Sequence, residues 1–163
     1  MVCHGAPSIA IYAARAALAV GAGTVTFESD DASILAVAES VAAIDALTSF
    51  DSRLGRWPIV VDWGQMPAVL QHAIASTEPD GVHTAQRVAL RCAPRDRAGT
   101  GEAVHPGIQF HIGRVNSAAL LPEVAALIGN GRLDPANVTS DVIAWDQAAD
   151  RYLHPAPKLI VAR

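Results

Sequence analysis

Near the amino terminus, Cys3-His4-Gly5-Ala6-Pro7-Ser8 have the types and order to hold a phosphate. A glycine in a tight turn lets the backbone come close to a ligand. A helix start adds free N–H groups and the positive end of a dipole. Of the Gly-x-Gly-x-x-Gly pattern only the middle glycine, Gly5, is kept; Cys3 stands at the first position and Ser8 at the third. Ser8 is small enough for close helix–sheet packing and carries a hydroxyl donor, while Pro7 removes one N–H. The same residues also describe an ordinary strand-to-helix turn, and by themselves they leave both readings open.

Other groups could carry chemistry. Ser29, Asp30 and Asp31 follow the second strand, where an acid of such a fold accepts from a ribose. Ser29 takes the expected position, with Glu28 and Asp30 on either side. Asp31 reads as a helix cap. Asp62, at a strand end, reads as a structural acid rather than a general base. The histidines at 4, 72, 83, 105, 111 and 154 show no metal-ligand spacing, and Cys3 and Cys92 form no Cys-x-x-Cys pair. No Gly-x-Ser-x-Gly elbow is present. Cys3 and His4 are strand neighbours that point to opposite faces, so they make no catalytic pair. Trp57, Trp63 and Trp145 read as packing anchors.

The elements that must position these groups alternate. A strand ends at Cys3. Ile9, Tyr12, Ala13, Ala16, Ala17 and Val20 repeat at helical spacing, with Pro7 in the first turn and Gly21 and Gly23 beyond the end. Strands are expected at 24–28, 42–47, 58–63, 82–90, 108–115, 138–145 and 159–161, and helices at 32–40, 66–75, 121–129 and 146–153. Thr48 to Gly55 is polar, Pro79-Asp80-Gly81 is a turn, and residues 91–107 form a loop. Strands alternating with helices imply crossover units on a parallel sheet, with a ligand crevice at the carboxyl ends of the strands. That gathers Cys3 to Ser8, Ser29, Asp62 to Gly64 and Gln86 to Val88 around one cleft.

Composition narrows the function classes. A length of 163 residues suits one domain. A net charge of -4 without a basic run argues against nucleic acid as a partner. The longest apolar stretch, Ile9 to Val20, is interrupted by Arg15 and is too short to span a bilayer, so no membrane partner is expected. No signal peptide is read at the start, and two distant cysteines fit a reducing, cytoplasmic location.

From first turn to last strand the chain resembles the coenzyme-binding part of medium-chain, zinc-type alcohol dehydrogenases. The segments that carry this are His4 to Ala13, Gly21 to Val25, Ser76 to Val82, Gly107 to Val115, Pro122-Glu123-Val124 with Gly131 to Pro135, and Ala149 to Leu153 with Lys158 to Val161. The resemblance implies an α/β, Rossmann-like, doubly wound parallel sheet of about six strands with helices on both faces. It implies a single dinucleotide-binding domain over residues 1–163, without the family's upstream catalytic domain. It implies NAD or NADP as cofactor and no zinc in this chain. Gly5, Ala6, Pro7 and Ser8 would face the pyrophosphate, and Ser29 with Asp30 the adenosine ribose. Backbone around Val88, Ile108 and Phe110 would meet the nicotinamide amide, and Lys158 a phosphate. The strand Ile108 to Val115 would pair with its twin in a homodimer.

Two other classes stay open. One is a non-catalytic dimerisation or binding module that keeps the turn as scaffold. The other is a methyltransferase-like enzyme using S-adenosylmethionine, suggested by Pro79-Asp80-Gly81-Val82 before a late strand.

Overall fold

A computed structural model describes residues 3–5, 7–41, 44–47, 55–64, 67–85, 107–113, 116–154 and 156–163. The polar stretch 48–54, the end of the expected strand at 86–90 and the loop at 91–106 lie outside them.

The chain opens as β1 (Cys3–Gly5) and α1 (Pro7–Val20). Proline suits the first turn because an N–H there has no helical partner. Gly21 ends the helix in the left-handed region, φ 107°, which glycine enters at little cost. Its N–H donates to the Leu18 carbonyl at 3.0 Å. Next come β2 (Thr26–Glu28), α2 (Ala32–Val41) and β3 (Asp45–Leu47). Asp31 caps α2, taking the Ser33 N–H at 2.8 Å and its hydroxyl at 2.6 Å. These bonds, the hydroxyl first, hold the Asp31 carboxyl below its ordinary value.

The chain then returns to the sheet centre as β4 (Trp57–Trp63), α3 (Pro67–Ala75), β5 (Thr77–Ala85) and β6 (Gln109–Ile112). Every pairing is parallel. One ladder runs β1-β4-β5-β6 and a second joins β2 to β3. β2 lies beside β1. The pair β3-β2 thus lies next to the ladder β1-β4-β5-β6.

Alternate strand residues point to opposite faces. Val61 packs into the core under α1, whereas Val60 packs against Ala73 of α3. Helices therefore cover both faces, as expected. The main core is Ala10, Ile11 and Ala14 of α1 with Val25, Phe27, Leu35, Ala38, Ile44 and Val138.

Several expectations are corrected. The six strands do not form one continuous ladder, because no pairing joins β2 to β1 among the described residues. The turn at Pro79-Asp80-Gly81 is an irregularity inside β5: Trp57 pairs with Thr77 but Ile59 with Val82. Asp80 sits there at φ 61°. A side chain at Gly81 would meet the Glu78 carbonyl oxygen at 2.8 Å, which keeps this corner glycine.

The next helix, α4 (Ser117–Gly129), starts four residues before the expected Leu121 and carries Pro122 inside it. A proline so near the start removes only one helical hydrogen bond, and the run Ser117 to Leu120 favours helix. The expected strand at 138–145 is a 3-10 turn (Pro135–Val138) followed by β7 (Asp141–Ala144). The last helix shrinks to a 3-10 turn (Trp145–Gln147) and α5 (Ala148–Arg151). β8 (Leu159–Ala162) pairs in parallel with β7 as a separate two-stranded sheet. Trp145 is no packing anchor: it is 61% exposed, with the Arg163 guanidinium 4.8 Å from its ring centre.

Candidate functional site

β1 is the point where the chain changes direction across the sheet. β2 and β3 lie on one side of it, and β4, β5 and β6 on the other. A crevice opens at the carboxyl ends of strands at such a switch point. The register sets Gly5 opposite Trp63 and His4 opposite Asp62, so the ends of β1 and β4 are level. α1 begins two residues after Gly5. Its first turn, with Pro7 and the half-buried Ser8, therefore opens at the crevice. Ala6 is outside the described residues.

Asp62 is 2% exposed, and its Oδ1 accepts the Gly64 N–H at 2.6 Å. This matches the structural role read from the sequence. A side chain at Gly64 would come within 2.4 Å of Val69 Cγ1, so the close turn needs glycine.

At the end of β2 the acids divide. Phe27 points into the core with α1 and α2, so Glu28 points to the other face. There it is buried, with Oε2 3.1 Å from Nε2 of His72 on α3. Ser29 is half-buried; its N–H donates to the Leu47 carbonyl and its hydroxyl oxygen accepts the Asp31 N–H at 3.1 Å. Asp30 is exposed beside it. Ser29 and Asp30 are thus the more open polar groups at the end of β2, while Glu28 and Asp31 are engaged with the protein.

Further along the same edge a cleft of about 620 Å³ opens at the ends of β4, β5 and β6. Trp63, Thr84, Ala85, Phe110, Ile112 and Asn116 are among its walls. The Trp63 indole N–H is buried without an acceptor. Phe110 is one of the cleft's walls. Ile108 lies at the amino end of β6, away from it, and Val88 is outside the described residues.

Lys158 lies against α1, its Nζ 5.7 Å from the centre of the Tyr12 ring. The Tyr12 hydroxyl donates to the Pro135 carbonyl at 3.1 Å, which ties the carboxyl-terminal segment to this helix. Tyr12 stands five residues into α1, roughly 7.5 Å from its start.

Sequence reading missed three groups here. Trp63 looked like packing alone, and His72 and His83 carried no local signal, since their partners are on other elements. Among the described residues no three His, Cys, Asp or Glu side chains converge as a metal site, and no helix is long and apolar enough to cross a membrane.

No protein-family profile and no curated protein sequence matches the chain. Solved structures do. An alcohol dehydrogenase from Thermus sp. ATN1 is 23% identical, with a TM-score of 0.80 over 99% of this chain and 52% of that one. A short chain alcohol dehydrogenase from E. coli CFT073, complexed with NADH, is 15% identical, with a TM-score of 0.76 over 98% of this chain and 50% of that one. A structure from Sinorhizobium meliloti 1021 with NADP bound is 16% identical, with the same TM-score and the same shares. The chain spans about half the length of these neighbours. Likeness at such identity carries the fold, and the chain is folded as half of an alcohol dehydrogenase chain is.

Proposed function

We propose that the chain is the NAD(P)-binding domain of an oxidoreductase of the alcohol dehydrogenase type. The observation that carries this reading is the start of α1 at the point where strand order reverses, beside β4. There the backbone of Gly5, Ala6, Pro7 and Ser8 takes the pyrophosphate, with the helix dipole behind it. Ser29 and Asp30 take the adenosine ribose. The cleft at the ends of β4, β5 and β6 takes the nicotinamide, with backbone near Val88 and Phe110 for its amide; Ile108, at the other end of β6, is left out of this site. Lys158, leaning on the first turns of α1, takes a phosphate.

In the assembled enzyme, hydride passes between an alcohol carbon and nicotinamide C4. These residues bind and orient the dinucleotide for that step, and the groups that act on the alcohol belong to the other half. The six strands then work as one doubly wound unit around the cofactor. The reducing cytoplasm is its compartment.

Titration with NADH and with NADPH, followed by cofactor fluorescence, tests the reading. Saturable binding is expected, and Lys158→Ala is expected to weaken it several-fold. Silence with both cofactors rejects it, and binding of S-adenosylmethionine alone turns it toward the methyltransferase class.

A second reading, a dimerisation module without catalysis, is favoured by the edge strand. All four residues of β6 are exposed, Phe110 by 40% and Ile112 by 48%. Such an edge invites a twin strand in a homodimer. Both readings share this dimer through residues 108–115, and monomeric light scattering at high concentration removes it.

A further inference from the structure

His83 is fully buried on β5, and neither ring nitrogen has a hydrogen-bond partner. A buried polar group without a partner is uncommon and costly. The imidazole is stacked on Phe110, its register partner on β6, with ring centres 4.4 Å apart and planes 8° from parallel. Phe110 is also a wall of the cleft, and β6 is the last strand of its ladder. One buried ring thus backs both the edge strand and the mouth of the crevice.

Apart from the Ala73 carbonyl, the surroundings offer nothing to stabilise a charge on it. On β4 its register partner is Val60, and the titratable neighbour Asp62 is occupied with the Gly64 N–H. On α3 the titratable group is His72, paired with Glu28. Glu78 and Asp80 lie at the far, amino end of β5. His111 on β6 points to the opposite face. Burial therefore pushes the imidazole down to about 4, which the nearby Ala73 carbonyl offsets only in part.

We propose that His83 is a positioning residue: its neutral ring holds Phe110 and the edge strand closed, and protonation of the ring opens them. The part concerning the cofactor rests on the reading of the cleft as the nicotinamide end. The closed state binds fewer protons than the open one. Its stability is therefore whole above the ordinary histidine range, is lost as pH falls from about 6.5, and levels off below about 4.

Amide hydrogen exchange of the full chain, corrected for the intrinsic pH dependence, tests this. Opening of residues 109–112 is expected to rise about tenfold per pH unit between about 6.5 and about 4, while residues 10–14 stay protected. His83→Phe keeps a ring in the stack and removes the charge, so its profile is flat. His83→Leu loses both ring and charge, so it opens more at every pH with the same flat profile. The proposal is overturned if wild type is flat, if either variant keeps the wild-type slope, or if residues 10–14 open in step with 109–112. NADH titrations over the same range separate the two claims. Affinity that falls with acid in wild type but not in His83→Phe supports both. Absence of NADH binding at any pH removes the cofactor reading and leaves the latch to the exchange data.

Discussion

α1 and α4 are nearly equal in length, 14 and 13 residues, and both are mostly apolar, yet they live in different surroundings. Ala10, Ile11 and Ala14 of α1 are fully buried, wedged between the sheet and α2. None of α4's residues, all of them described, is buried, and Leu120 and Leu121 are 54% and 61% exposed. Apolar content made both segments helical candidates. Position decided which became core: α1 folds back between the sheet and α2, whereas α4 follows β6, beyond which no strand pairs among the described residues. Hydrophobicity in a chain announces a surface to be covered, not the thing that covers it.

Mutations can break or sharpen this contrast. Phe27→Ala, in the core under α1, should have the largest effect, about 3–5 kcal/mol lost in denaturant unfolding. A loss under 1 kcal/mol would mean that this core is not what holds the domain together. His72→Ala should cost about 1–3 kcal/mol, because it removes the ring nitrogen 3.1 Å from Oε2 of the buried Glu28. Gly64→Ala should cost about 1–3 kcal/mol, since its new carbon meets Val69 and the β4–α3 corner must shift. Leu121→Ala on α4 should change stability by no more than about 0.5 kcal/mol. A larger loss, read by the same unfolding curves, would show that α4 is covered in solution and that the contrast fails.

What the chain disclosed in advance was what it encodes locally. Pro7 marked the start of α1, Gly21 its end, and Asp31 the cap of α2, because each of those residues acts on neighbours a few positions away. Alternation of strand and helix gave the parallel order. What stayed hidden needs partners distant in sequence. Glu28 and His72 are 44 residues apart and meet only once α3 has packed on β4 and β5. His83 and Phe110 meet only through strand register. Leu121 was the expected start of α4, and Ser117 to Leu120 ahead of it moved that start back. Of the candidate site, Ser8 lies in the first turn of α1 beside β1, Phe110 lines the cleft at the ends of β4, β5 and β6, Ile108 lies at the amino end of its strand, and Glu28, next to Ser29, is turned into the protein.

The β7–β8 pair has one more consequence. Parallel strands are ordinarily sandwiched between layers, yet Val142 and Ile160 of this ribbon stand 61% and 40% open to water. Neither strand has a third neighbour among the described residues, so the outward amides and carbonyls remain a template that any extended segment can extend.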